Sequence, residues 1–251
     1  MKDFADSTLW RVSEFERVRL ANGGSAFSRL DGDTVLPTTL LADLRRLDAG
    51  GASDDPLEVA AACVRHREPA LLCLQYDGLV WPITLFPAQD LYHSPRDIAQ
   101  ALPGSLARLR LLSTEPAGVK PPGHWMHDRI GLADHYRALG PLVWALALHG
   151  PRSRPLAEIA GTAAYRSLKT VEEAGPNLGG AMRSAAQRLR RETVSLRDVA
   201  GWPGMSVERA GRLLNGLYLN SALMITRAHP AARDGGSGGW LERLRGTKRQ
   251  P

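Results

Sequence analysis

Residues 195–227 read SLRDVAGWPGMSVERAGRLLNGLYLNSALMITR, and the order of elements this stretch prescribes decides how the second half of the chain is read. Ser195 and Asp198 make an S-x-x-D capping box ahead of Leu196, Val199 and Ala200, which predicts a short helix. Gly201-Trp202-Pro203-Gly204 cannot continue it, because proline lacks the N–H and clashes with the preceding turn. Ser206 is then an N-cap for a second helix. Ala210, Leu213, Leu214, Leu217, Tyr218 and Ser221 recur at helical spacing and give that helix one apolar side. Leu223-Met224-Ile225-Thr226-Arg227 follows with β-compatible side chains.

Helix, turn, longer helix, strand is an order that resembles the winged-helix, or helix-turn-helix, class over residues 178–227. Such domains bind DNA in many proteins and other proteins in many more, so the resemblance implies a fold rather than a job. Reading DNA needs side chains that reach base edges from the second helix. Opposite its apolar stripe stand Glu208, Arg212 and Asn215, with Arg209 at the flank. Arginine and asparagine match guanine and adenine edges, while Glu208 carries the wrong charge for phosphate. His229-Pro230 predicts that the strand ends before a second one can pair with it as a wing.

Upstream, Leu178, Met182, Ala185, Ala186 and Leu189 predict a core stripe, with Arg183, Gln187, Arg188 and Arg191 opposite it as a wet face or a phosphate track. Leu156-Ala157-Glu158-Ile159-Ala160-Gly161 matches Leu196-Arg197-Asp198-Val199-Ala200-Gly201 as L-x-[E/D]-[I/V]-A-G. Each copy precedes a serine, Ser167 or Ser206, able to cap the next helix, so a tandem of helix-turn-helix units is one expectation.

The first half mixes strand and helix signals. Arg17-Val18-Arg19-Leu20 alternates into Asn22-Gly23-Gly24, and Ala26–Leu30 runs into Asp31-Gly32-Asp33, which predicts a hairpin. Leu40, Leu41, Leu44 and Leu47 after Pro37 predict one helix, and Leu57, Ala60, Ala61 and Val64 after Asp55 and Pro56 a second. Ala70–Phe86 is two apolar runs joined by Asp77-Gly78, the dipeptide of a type I′ turn. Its register follows: Tyr76 opposes Leu79, Leu74 opposes Trp81, and Cys73 opposes Pro82. Pro82 cannot donate, so the second strand is expected to be an edge at that point. Leu72, Leu74, Tyr76, Leu79, Trp81, Ile83 and Leu85 share one face that holds the helices, while Gln75, Val80 and Thr84 predict a milder, partly wet face. Leu106–Leu112 reads as a third strand.

Thr114–Gly123 contains Pro116, Gly118, Pro121, Pro122 and Gly123 and is taken as the domain boundary. Everything after it is expected to be helical, including a buried helix at Leu142–Leu148 stopped by Gly150 and Pro151. The expected fold is therefore α+β: a small mixed α/β domain over 1–115, a linker at 116–124, an all-helical, winged-helix-like domain over 125–230, and a flexible basic tail over 231–251.

Charge is uneven. Residues 1–113 hold 12 Lys and Arg against 15 Asp and Glu, while residues 114–251 hold 20 against 11. The basic half suits an acidic protein surface or duplex DNA. Four of the 32 basic residues are lysine, the bias of a GC-rich bacterial coding sequence. The first twenty residues show no leader pattern and nowhere do about eighteen apolar residues run together, so neither a membrane span nor export is expected and the cytoplasm is. Cys63 and Cys73 make neither a disulfide framework nor a C-x-x-C zinc pair, and their apolar settings predict inert thiols. His124, His127, Asp128 and His135 form a histidine cluster, but the first pair follows Pro121-Pro122-Gly123 rather than lying within a helix, so no metal is expected. No nucleophile elbow, P-loop or dinucleotide fingerprint is present, so no cofactor and no catalytic residue is expected.

In the tail, a glycine spacer at Gly235–Gly239 leads to Trp240, Leu241 and Leu244 and then to Arg245, Lys248 and Arg249, which reads either as a frayed terminus or as one helical turn that docks in a partner's groove. The expected function is a non-enzymatic regulatory or adaptor protein whose basic domain docks an acidic partner. The alternative is a sequence-specific DNA-binding regulator. The residues expected to bind are Arg209, Arg212 and Asn215 on the second helix, Arg183, Arg188 and Arg191 on the helix before it, and Trp240, Leu241 and Leu244 in the tail.

Overall fold

At Asp77 and Gly78 the backbone takes φ of 49° and 76°, the two positive values a type I′ turn demands, and the strands on either side fall into the register that turn sets. Strand β2 (Ala70–Tyr76) pairs with β3 (Leu79–Phe86) with Tyr76 opposite Leu79, Leu74 opposite Trp81 and Cys73 opposite Pro82. The computed structural model describes residues 9–26, 35–98, 106–170, 173 and 178–233. The chain divides into two units, Met1–Arg152 and Ser153–Pro251.

The first unit is built on this hairpin. Its remaining elements are β1 (Trp10–Arg11), α1 (Val12–Ala21), α2 (Thr38–Ala49), α3 (Pro56–His66), β4 (Leu91–His93), β5 (Arg110–Glu115), β6 (Tyr136–Ala138) and α4 (Leu139–His149). The strands form one antiparallel sheet in the order β5-β2-β3-β4-β6, with β1 paired to the start of β3. Pro82 sits in the gap between the β1 partners Leu79 and Val80 and the β4 partners Thr84–Phe86, where its missing N–H costs no ladder bond. Its carbonyl accepts from the Ser94 hydroxyl instead, at 3.1 Å.

Both faces of the hairpin are covered. Helix α3 is capped by Asp55, which accepts from the N–H groups of Leu57 and Glu58, and every residue from Pro56 to Cys63 is buried. On the other face Leu71, Cys73, Val80 and Phe86 pack with Trp10 and Phe15, and with Ala117 and Val119 from the stretch after β5. The expectation of a partly wet second face is thus corrected: Thr84 is 1% exposed and Val80 is fully buried. Part of the cover is Trp10 and helix α1, whose Phe15 is fully buried with Val12 and Val18 packed beside it; Arg17–Leu20 is thus helical rather than half of a hairpin, with Arg17 and Leu20 turned to solvent. Charged residues at alternate positions suit an exposed helix face as well as a strand. The other half of the expected hairpin lies mostly outside the described residues. The third strand begins at Arg110, with Leu106–Arg108 forming a turn ahead of it. Residues 116–124 lie inside this unit, and Lys120 forms a bridge with Ile130. The helix expected at Leu142–Leu148 is α4, and it too belongs here.

The second unit contains β7 (Ala164–Ser167), α5 (Gly180–Leu189), β8 (Val194–Ser195), α6 (Leu196–Ala200), α7 (Val207–Leu219), β9 (Leu223–Thr226) and α8 (Pro230–Arg233). The Ser195–Asp198 capping box forms at α6, and the Ser206 hydroxyl accepts from the Arg209 N–H at the start of α7. Gly204 turns the chain between them at φ of 72°, and a Cβ there would lie 2.8 Å from that of Ala181. Ala210, Leu213, Leu214 and Leu217 are buried, as their spacing predicts.

The all-helical expectation for this half is overturned. Strands occur in both units, and the second carries a three-stranded antiparallel sheet in the order β8-β7-β9. The central strand, β7, is four residues long and reaches β9 across the intervening helices, so no local turn signal marks the pairing. The two L-x-[E/D]-[I/V]-A-G copies also part company. Leu196–Ala200 is helix α6, whereas Leu156–Ala160 makes a single turn, and Ser167 lies in a strand instead of capping a helix.

Candidate functional site

Helix α5 buries Ala185, Ala186 and Leu189 and turns its polar side to solvent, and the chain leaves it through Arg190, Arg191 and Glu192. Beside this exit lies an open groove of about 750 Å³ lined by Thr170, Ser184, Gln187, Arg188, Arg190, Arg191 and Glu192. Arg188 is held from two sides. Its guanidinium lies 4.6 Å from the centre of the Trp202 ring, and its Nε donates to both carboxylate oxygens of Glu192 at 3.1 and 3.0 Å. Arg190 and Arg191 are exposed and make no salt bridge among the described residues. Thr170 is fixed by a reciprocal pair of bonds, its N–H donating to the Glu173 carboxylate and its hydroxyl accepting from the Glu173 N–H. Those bonds hold the Glu173 carboxyl below the usual carboxylate range.

The groove adjoins a second hollow of about 270 Å³, lined by Arg166, Ser167, Leu168, Arg190 and Met224. Arg190 borders both. The Arg166 Nε donates to the Arg190 carbonyl at 3.2 Å, tying β7 to the end of α5. Three cations line the first groove with Glu192, which Arg188 already engages, and the exposed Glu173 carboxylate on Thr170 feels the charge of Arg190 and Lys169. The arrangement therefore leaves net positive charge for an anionic group, with planar guanidiniums suited to carboxylate or phosphate.

The α7 residues expected to bind lie differently. Asn215 is fully buried; its Oδ1 accepts from the Leu156 N–H at 2.9 Å and its Nδ2 donates to the Arg154 carbonyl at 3.1 Å. Arg212 is 13% exposed in its side chain and pairs with Glu208 at 3.0 Å. Arg209 donates to the Gly204 carbonyl at 2.5 Å. The reason is local: Gly211 and Asn215 form the side of α7 that packs on residues 153–156, where a Cβ on Gly211 would come within 3.1 Å of the Ser153 carbonyl oxygen. Arg183 is half-buried on α5, and Arg188 and Arg191 line the groove. Trp240, Leu241 and Leu244 lie outside the described residues. Sequence reasoning missed Arg166, Leu168, Arg190 and Met224. The adjacent pair Arg190-Arg191, set just past the last buried residue of α5, was the available signal.

In the first unit the histidines separate. His124 and Trp125 stand at the tip of the 120–130 loop, with Trp125 77% exposed. The Tyr136 hydroxyl closes the base of that loop, accepting from the Gly131 N–H at 2.8 Å and donating to the Lys120 carbonyl at 2.6 Å. His135 is buried against His93, ring to ring at 5.6 Å, and His93 packs on Tyr136 at 4.9 Å. Burial, then the neighbouring His135 and Arg137, push His93 down to about 4. Among the described residues no three His, Cys, Asp or Glu side chains converge as metal ligands. Burial pushes the Cys63 thiol up to about 12 and that of Cys73 further still, as their apolar settings predict.

Comparison of the chain with family models, with curated proteins and with solved structures finds no match.

Proposed function

We propose that this chain is a non-enzymatic regulatory or adaptor protein whose second unit docks an acidic partner. The observation that carries the reading is the groove at the end of α5, where Arg190 and Arg191 are exposed without a salt bridge among the described residues. The winged-helix resemblance enters in an altered form. The helix-turn-helix α6–α7 is followed by β9, and the strand that pairs with β9 is β7, which precedes the helices in the chain. Sequence-specific reading of DNA by α7 draws less support, because the Asn215 amide is spent inside the unit and Arg212 on Glu208.

The reading is tested with the full chain, fluorescein-labelled poly-glutamate and a mixed-sequence DNA duplex. Poly-glutamate is expected to bind at low salt and weaken as salt screens the arginines. Arg190→Ala with Arg191→Ala should cost on the order of tenfold in affinity, whereas Arg197→Ala with Arg209→Ala should cost under about twofold. Equal losses from the two pairs would mean that charge alone, and not this groove, is responsible. Binding of one duplex sequence in preference to others would favour the DNA reading.

A further inference from the structure

The acidic-partner reading leaves the chemistry of the partner open, and the hollow next to the groove narrows it. Leu168 is 59% exposed and Met224 38%, two of the few large apolar side chains that the described residues leave in solvent. They are not exposed through looseness. The Leu168 N–H donates to the Ala222 carbonyl at 2.8 Å, and Met224 stands opposite Arg166 in the β7–β9 ladder. After Leu168, the Lys169 carbonyl accepts from the Ser167 hydroxyl and the Lys169 Nζ donates to the Asn220 carbonyl. The backbone on both sides is therefore fixed, and the two side chains give a preorganised apolar surface to a hollow that Arg166 and Arg190 also line.

Resting on the docking reading above, we infer that the two hollows together receive an acidic peptide segment carrying an aliphatic side chain. That side chain seats on Leu168 and Met224, and the flanking carboxylates meet Arg190 and Arg191. The charge balance selects an anion, since the two hollows are lined by Arg166, Arg188, Arg190 and Arg191 against Glu192, and the exposed Glu173 carboxylate beside Thr170, which Arg190 and Lys169 attract, does not offset them. The apolar surface selects a peptide over a single-stranded nucleic acid. Single strands are held by stacking bases on aromatic rings, and no aromatic residue lines either hollow among the described residues. A buried aliphatic contact also gives specificity that charge alone does not, because exposed ion pairs contribute little and are screened by salt.

The experiment measures fluorescence anisotropy of the full chain with two labelled peptides, Glu-Glu-Leu-Glu-Glu and Glu-Glu-Gly-Glu-Glu, and with a mixed-sequence duplex as competitor. The leucine peptide is expected to bind roughly tenfold more tightly, the size of effect that covering one aliphatic side chain gives. Leu168→Ser with Met224→Ser should abolish that advantage and leave the binding of the glycine peptide unchanged. Arg190→Ala with Arg191→Ala should weaken both peptides alike. The two failures are distinguishable. If both peptides bind equally and the serine pair changes nothing, while the alanine pair still weakens both, the aliphatic seat is wrong and the basic groove stands. If neither peptide binds at low salt, or the alanine pair has no effect, the docking reading itself falls and the inference with it. A duplex that displaces the leucine peptide at nanomolar concentration would overturn the peptide inference in favour of nucleic acid. Because Leu168 and Met224 are solvent-facing, the serine pair should keep the melting temperature of the wild type. A fall of several degrees would show that the two side chains belong to the unit's own packing, and would overturn the inference.

Discussion

Arg152, at the end of the first unit, is 4% exposed in its side chain and lies 2.6 Å from a carboxylate oxygen of both Asp55 and Glu58, whereas Arg190 and Arg191 of the second unit face solvent with no salt bridge among the described residues. The same side chain thus fastens one unit and is left available in the other. What separates the two cases is the surroundings. Asp55 is the N-cap of α3, fixed by its own backbone bonds, and Glu58 is 3% exposed in the first turn of that helix, so Arg152 completes a set of charges already committed to the interior. Near Arg190 the Glu192 carboxylate is bound to Arg188, and the Glu173 carboxylate, exposed and bonded to the Thr170 N–H, attracts Arg190 without forming a salt bridge. A surplus of arginine in a sequence therefore says little until the partners of each one are known.

The sharpest break of this comparison is Arg152→Met. Removing the cation leaves two carboxylates in a low-dielectric site, and loss of one member of a buried ion pair costs about 3–5 kcal/mol. Urea unfolding followed by hydrogen exchange at the α3 amides should register that loss in the first unit. A cost below about 1 kcal/mol would mean that Asp55 and Glu58 do not depend on Arg152.

His93 supplies the next effect, again in the first unit. Its folded-state value lies near 4, below the ordinary 6.5, so between those limits the unfolded chain binds the extra proton and the folded chain does not. Stability is then full above about pH 6.5 and falls as pH drops toward 4, by on the order of 3 kcal/mol for this group. His93→Gln should flatten that part of the stability profile. A variant retaining the wild-type slope between pH 6 and pH 4 would assign it to other groups. Gly131 packs closely on His93, since a Cβ there would lie 2.5 Å from the His93 Nε2.

In the second unit Asn215→Ala tests whether α7 is committed inward. The substitution strands the buried Leu156 N–H, a cost of about 1–3 kcal/mol. Thermal melting should fall, and affinity for any duplex should not change beyond what the loss of stability explains. A selective loss of DNA affinity with unchanged melting would return α7 to the role that its sequence suggested.

Legibility in the sequence followed the range of the contacts. The Asp77-Gly78 turn, the Asp55 cap and the Ser195–Asp198 box are decided by residues within four positions of one another, and each appears as read. Strand β7 was invisible because Ala164-Tyr165-Arg166-Ser167 has neither a turn signal nor a run of β-branched residues, and its partners lie about 30 and 60 positions away. The candidate site divided along the same line. Arg188 and Arg191 were found from their helix face, but Leu168 and Met224 join them only through the β7–β9 pairing. Asn215 looked exposed because helical spacing reports the side that is not apolar, and a polar side chain bonded to a neighbouring loop looks the same as one in water.

The smallest expected change in stability belongs to the groove, and it is the one that separates the two sets of arginines most cleanly. Arg190 and Arg191 sit past the end of α5, exposed and without a salt bridge among the described residues, so their loss as alanines removes no buried contact and relieves some like-charge repulsion. Exposed charges of this kind contribute between about 0 and 1 kcal/mol. The double variant should therefore melt within a degree or two of wild type while its affinity for poly-glutamate falls, the reverse of the pattern at Arg152, where stability is lost. Salt should distinguish them as well. Raising ionic strength from low to about physiological values shortens the screening length to about 8 Å, which weakens the groove's hold on an anion and leaves the Arg152 set, shielded from solvent, nearly untouched. A groove variant that melted several degrees lower, with its binding intact, would make Arg190 and Arg191 structural like Arg152, and the acidic partner would have to be sought on another surface.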